Sequence, residues 1–180
     1  MSALPTAYIA FGSNLSTAAG DPAATIRAAL RALVTALGVE ESRLHASSLY
    51  ATTPVAYRDQ PPFINAVASV CTSRSPEELM AMLLEVERLF GRERSAANGP
   101  RTLDLDLLLV GGLVLTKPGL VLPHPRMAER RFVLEPLAEI APGLVHPVLG
   151  RTVAELLAVL PDEGEQARSG VRRLGRAIGW

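Results

Sequence analysis

The chain has 180 residues, 48% of them apolar, enough to close the core of one ordinary domain without disulfide or metal staples. Lys and Arg number 18 and so do Asp and Glu, so no overall basic field speaks for nucleic acid or an anionic membrane surface, and charge must act locally. Apolar residues are dispersed and the opening "MSALPTAYIAFGSN" lacks the basic start and cleavable apolar core of a secretory signal, so a cytoplasmic protein without a membrane span is expected.

The run "AYIAFGSNL" is β-rich and ends in Gly12-Ser13-Asn14, a first strand and its exit turn. A helix follows, with Asp21 as N-cap, Pro22 as first helical residue, and Ile26, Ala29, Leu30, Leu33, Val34 and Leu37 at helical spacing up to Gly38. "RLHASSLYATTPV" reads as one second strand and "FINAVASVCTS" as the third, separated by the loop "AYRDQPP". The single cysteine, Cys71, excludes an intramolecular disulfide, and its apolar neighbours predict a buried thiol. "SPEELMAMLLEVERLFG" is a second helix, with Ser75 as N-cap, Pro76 at the first position, Glu78 placed for a capping box and Gly91 at its end.

A polar connector, "RERSAANGP", leads into "TLDLDLLLV", then Gly111-Gly112 and the run "LVLT", which together suggest a hairpin. The order β-α-β-β-α-β predicts an α+β fold, the ferredoxin-like sandwich with a mainly antiparallel sheet and helices on one face. "LPHPRMAERRFVLEPLAEIAP" begins as a Pro-rich loop and turns helical near Arg130, and "TVAELLAVL" reads as a further short helix. The chain is expected to be one domain over residues 1–180, with a basic tail, residues 166–180, to which no structure is assigned.

The segment "NGPRTLDLDLLLVGG" raises a chemical question, because Asp is among the poorest strand residues and here two of them stand two positions apart. Strand alternation points Leu103, Leu105, Leu107 and Leu109 to one face and Asp104 and Asp106 to the other. Alpha carbons two residues apart are about 6.6 Å apart, so the carboxylates can converge on one ion. Two readings fit: a wet outer face, or a hard divalent cation such as Mg²⁺ shared with phosphate oxygens. Arg92, Arg94 and Arg101 flank the segment, and arginines beside a metal-binding acidic pair are what a polyphosphate requires. The chain has no G-x-x-x-x-G-K-[ST] loop and no G-x-G-x-x-G turn, so side chains and metal must do the holding.

The string "GPRTLDLDLLL" closely resembles the signature of the 6-hydroxymethyl-7,8-dihydropterin pyrophosphokinases of folate biosynthesis. "AYIAFGSNL", "SSLYATTPV", "DQPPFINAV" and "LPHPRMAERRFVLEPLAEIAP" resemble further blocks of that family in the same order, so the likeness runs from about Thr6 to about Pro161. It implies transfer of a pyrophosphoryl group from ATP to the hydroxymethyl oxygen of the reduced pterin, leaving AMP. Asp104 and Asp106 match the ligands of two Mg²⁺ ions, and Arg92 and Arg101 match catalytic arginines on the phosphates. Arg94, Leu107, His124 and Arg130 fall on the ATP side, and Thr52, Val55, Phe63, Asn65 and Phe132 on the pterin side. Asn98 and Pro125 stand where many members carry aromatic residues. The connector from Arg92 to Gly99 is expected to close over the substrates.

Phe63 and Phe132 suit a flat heterocycle, and Asn65 offers both a donor and an acceptor, although core packing and a satisfied buried amide explain the same residues. His45 and His146 lie in no matched block and are read as incidental. No general base is assigned. A regulatory module of the same fold that binds without turnover remains an alternative, which the acidic pair beside arginines disfavours. An RNA-binding sheet is disfavoured by an aromatic content of 4% and zero net charge. The expected partners are small molecules, ATP and the pterin, with no nucleic acid or membrane, and the expected state is a monomer.

Overall fold

The structure, a computed structural model of the chain, describes residues 4–53, 60–92, 100–163 and 170–177. Strand β1 (Thr6–Ser13) alternates buried and half-buried positions. Helix α1 (Pro22–Leu37) starts behind Asp21, whose carboxylate accepts the Ala24 amide at 2.8 Å, and stops at Gly38, which takes the left-handed φ of 67°. Both ends fall where the sequence predicts them. The second strand is two: β2 (Leu44–Ala46) and β3 (Ser48–Thr52) are parted at Ser47. The Ser47 hydroxyl accepts from the Val67 amide at 3.0 Å and donates to the Ser48 carbonyl at 2.7 Å, replacing regular ladder bonds at that point.

β4 (Phe63–Cys71) is the longest strand, and α2 (Pro76–Leu89) follows with the expected capping box of Ser75 and Glu78. β5 (Asp104–Val110) carries the two aspartates. The run after Gly111-Gly112 does not fold back on β5 as expected. Instead β6 (Leu115–Lys117) pairs with β7 (Leu120–Leu122) in a separate two-stranded sheet, turned by Pro118 and Gly119, the latter at φ 77°. The outer side of β5 is met by the His124 amide, which donates to the Leu108 carbonyl at 2.8 Å. Helices α3 (Arg131–Ile140) and α4 (Val153–Val159) follow, and the tail supplies β8 (Val171–Arg176).

The main sheet runs β5-β1-β4-β3-β8, with β2 also on β4, and every pairing is antiparallel. This is the predicted α+β sandwich, with one difference: both faces of the sheet carry helices. Ala7, Ile9, Phe11, Leu103, Leu105 and Leu107 pack with α1 and α2 on one face. On the other face Val67, Leu108 and Leu109 pack with Leu134 and Leu137 of α3 and Val153 and Leu156 of α4.

The leucine alternation of β5 therefore breaks. Ile9 faces Leu107 and Tyr8 faces Leu109, so Leu108 is an extra residue in a β-bulge, and Leu109 lies on the aspartate face rather than with Leu103, Leu105 and Leu107. Cys71, predicted buried, is exposed because it is the last residue of β4, beyond the cover of the helices. Among the described residues no helix is long and apolar enough to cross a membrane.

Candidate functional site

Strand register places the chemistry. Asp104 of β5 faces Gly12 of β1, Gly12 faces Asn65 of β4, and Asn65 faces Tyr50 of β3. Directly opposed residues share a face, so Asp104 and Asn65 stand on one side of the sheet with only a glycine between them. A Cβ at Gly12 would lie 3.3 Å from Asn65 Oδ1 and 3.9 Å from the Asp104 Cβ, so the glycine keeps this strip open. Asp106 faces Ala10 one step along, and Phe63 faces Thr52 one step the other way.

Around Asp104 the charges are compensated. Arg92 Nη2 lies 2.8 Å from its carboxylate, and Arg101 Nη1 pairs with the other oxygen. Arg92 Nη1 also pairs with Glu87. Asp106 is more open, with a side chain 36% exposed against 19% for Asp104, and His124 Nε2 lies 3.9 Å from it. Burial holds His124 below the ordinary imidazole value; Asp106 opposes this, and Arg130 and Arg126 reinforce it. His124 Nδ1 accepts the Arg126 amide at 3.3 Å, so the neutral ring carries its proton on Nε2, toward Asp106.

The turn after β1 fixes the arginine that precedes β5. Asn14 Oδ1 accepts the Arg101 amide at 2.7 Å, and the Arg101 carbonyl accepts from the Asn14 and Leu15 amides at 3.0 and 3.1 Å. Ser13 Oγ donates to the Thr102 carbonyl at 2.6 Å. The Thr102 hydroxyl beside it is the one buried side-chain polar atom without a hydrogen-bond partner among the described residues. On the strip itself, Asn65 Nδ2 donates to Thr52 Oγ1 at 2.9 Å, and the amide oxygen of Asn65 is turned toward Gly12. Arg130 lies over the Phe132 ring, 5.4 Å from its centroid. Burial and the neighbouring Arg126 pull the Arg130 pKa down from the ordinary value, against Asp106 and Asp104.

The family model for 7,8-dihydro-6-hydroxymethylpterin-pyrophosphokinase matches residues 8–142. The chain belongs to this family. The 2-amino-4-hydroxy-6-hydroxymethyldihydropteridine pyrophosphokinase of Pseudomonas aeruginosa is 46% identical over 158 residues, covering 87% of this chain and 93% of that protein. That of Haemophilus influenzae is 43% identical over 160 residues, covering 87% and 94%. The folic acid synthesis protein of Schizosaccharomyces pombe is 39% identical over 158 residues, but the match spans only 21% of that longer protein. In three dimensions the HPPK-DHPS of Plasmodium falciparum, solved with pterin and p-hydroxybenzoate, superposes with a TM-score of 0.64 at 15% identity, over 94% of this chain and 46% of that one, a likeness of fold.

Within this pyrophosphokinase chain, Arg92, Arg101, Asp104, Asp106 and His124 converge, and Thr52, Phe63 and Asn65 lie on the same sheet face. Val55, Arg94 and Asn98, like the connector expected to close over the substrates, lie outside the described residues. Leu107 does not join the cluster through its side chain, which is buried with α1 and α2 on the opposite face. Sequence reasoning missed Glu87, Ser13 and Asn14. Glu87 had a signal, since it stands four residues after Leu83 on the apolar stripe of α2. The two turn residues had none beyond their polarity.

Proposed function

We propose that the protein transfers the diphosphate group of ATP to the hydroxymethyl oxygen of 6-hydroxymethyl-7,8-dihydropterin, giving the pterin diphosphate and AMP, in a Mg²⁺-dependent step of folate biosynthesis. The observation that carries this reading is the shared sheet face: an acid pair with two arginines at one end and an Asn65, Thr52 and Phe63 strip at the other, separated by Gly12. Family membership supplies the reaction.

Asp104 and Asp106 suit Mg²⁺ by donor chemistry, being hard carboxylate oxygens on one face. Among the described residues no three His, Cys, Asp or Glu side chains converge, and in this reading phosphate oxygens and water supply further ligands of the two expected ions. Bound there, Mg²⁺ would neutralise charge on the transferred group and polarise its phosphorus. Arg92 and Arg101 already point their N–H groups at carboxylate oxygens, and triphosphate oxygens offer the same acceptor geometry. His124, neutral and protonated on Nε2, can donate to a phosphate oxygen. Arg130 on the Phe132 ring links the ATP side to the pterin side, and Leu107 is left a backbone contact at most.

Asn65, with one N–H of its amide on Thr52, keeps an acceptor oxygen and a second N–H for the edge of a pterin, and Phe63 and Phe132 supply flat faces. Val55 and Arg94 rest on the family likeness alone. Catalysis is then alignment plus charge stabilisation, without a covalent enzyme intermediate and with no dedicated base assigned. Incubation with ATP, Mg²⁺ and the reduced hydroxymethylpterin should release AMP; release of ADP would overturn the proposal. The protein is also taken as a cytoplasmic monomer, and a dimer in sedimentation would remove that part.

A further inference from the structure

Glu87 sits on the last turn of α2, where the stripe of Leu79, Leu83 and Val86 calls for an apolar residue, and its side chain is only 3% exposed. A carboxylate this deep is costly unless its oxygens are engaged. One oxygen serves both partners: it accepts the Leu105 amide at 2.7 Å and pairs with Arg92 Nη1. The backbone ties the same corner, since the Arg92 amide donates to the Glu87 carbonyl at 3.2 Å.

Leu105 lies between Asp104 and Asp106 on the terminal strand of the sheet, and its amide is taken by Glu87 rather than by another strand. Fixing that amide fixes the plane of the Asp104–Leu105 peptide, and with it the directions in which both acids leave the strand. Arg92 is held at Nη1 by Glu87 while Nη2 reaches Asp104, so its guanidinium is oriented toward the acid pair. We infer, on the footing of the diphosphate transfer proposed above, that Glu87 is a positioning residue. It anchors Arg92 by one nitrogen and pins the backbone between the two acids, so that the groups that meet the triphosphate are aligned before it arrives.

Two substitutions separate the two tasks. Glu87→Gln keeps a carbonyl acceptor for the Leu105 amide but loses the charge that holds Arg92. Glu87→Ala loses both. In the full-length protein, Glu87→Gln should lower kcat at least tenfold with less than a twofold change in pterin KM, and should leave Leu105 amide exchange as in the wild type. Glu87→Ala should in addition speed Leu105 exchange at least tenfold. Placed on Arg92→Ala, Glu87→Gln should lower kcat by less than twofold further, because its partner is already gone.

Wild-type kcat in Glu87→Gln, an undiminished effect on the Arg92→Ala background, or unchanged Leu105 exchange in Glu87→Ala would each overturn the assignment. If the wild type releases no AMP, the transfer reading fails on its own. The positioning role is then decided by Leu105 exchange and by the same double-mutant cycle run on calorimetric affinity for a non-hydrolysable ATP analogue, where non-additivity supports it and additivity overturns it.

Discussion

Asp104 and Asp106 have the same side chain and different surroundings, and their variants should differ accordingly. Relief of mutual repulsion alone predicts that neither alanine variant loses stability. Asp104, however, neutralises Arg92 and Arg101 by direct ion pairs, whereas Asp106 has His124 at 3.9 Å and the charge of Arg130 as its neighbours among the described residues. Asp104→Ala should therefore reduce stability by an amount on the order of 1 kcal/mol for partly exposed pairs, seen as a lower thermal midpoint. Asp106→Ala should leave it unchanged or raise it. Both should abolish AMP formation, and near-native turnover in either would remove the site assignment. His146, read as incidental from the sequence, is a buried structural ring whose Nδ1 accepts the Val148 and Leu149 amides at 3.3 and 3.2 Å. Burial lowers its pKa below the ordinary value near 6.5. Folding thus favours the neutral ring, so this stability is complete above about pH 6.5 and is lost as pH falls through the folded-state value. The thermal midpoint should drop from about pH 7 to about pH 5, and drop less in His146→Asn, whose amide oxygen can take over the acceptor role; equal slopes in a pH series of melts would refute this.

Among the elements, β8 calls for the most direct test, because the basic tail that forms it carries no local strand pattern. Val171 faces Thr52, the Thr53 amide donates to the Gly170 carbonyl at 2.9 Å, and Ala177 is fully buried in the α1 and α2 core. Arg173 clamps the strand to Ser48 and to Glu139 of α3, a carboxylate that also accepts from the Tyr50 hydroxyl. Deleting residues 170–180 should lower the melting temperature by several degrees and raise the pterin KM several-fold through Thr52, with a smaller change in the ATP KM. An unchanged pterin KM in steady-state assays would show that β8 is only a cover. The contrast with α1 and α2 shows what a sequence can disclose. Asp21, Gly38, Ser75 and Glu78 act on groups within four residues of themselves, so cap chemistry is local and could be read directly. The split at Ser47, the β6–β7 pairing, β8 and the Leu105 contact of Glu87 all depend on partners remote in the chain, for which no local pattern exists. The acid pair was legible because it violates strand propensity, and its arginines because they cluster in sequence; the Asn14 grip on Arg101 spans 87 positions and was not.

At the scale of the whole molecule, the sheet separates two ends. Asn65 and Cys71 stand six residues apart on β4, about 20 Å at strand rise, and Cys71 lines a hollow of about 410 Å³ with Thr6, Tyr8, Arg43, His45 and Ser69. The exposed thiol should react with a chromogenic disulfide in the native protein, one equivalent per chain, while AMP formation stays within twofold of the untreated rate. Loss of activity on labelling would mean that the two ends communicate.

The bulge at Leu108 gives β5 two employments. Up to Asp106 the strand offers oxygen to the outside, and two residues later the same side is sealed under a helix. Without that one residue Leu109 would follow Leu107 directly and still lie on the aspartate side, so the surplus leucine adds apolar cover where the reactive frontage of the enzyme ends and leaves the facing of the strand beyond it unchanged.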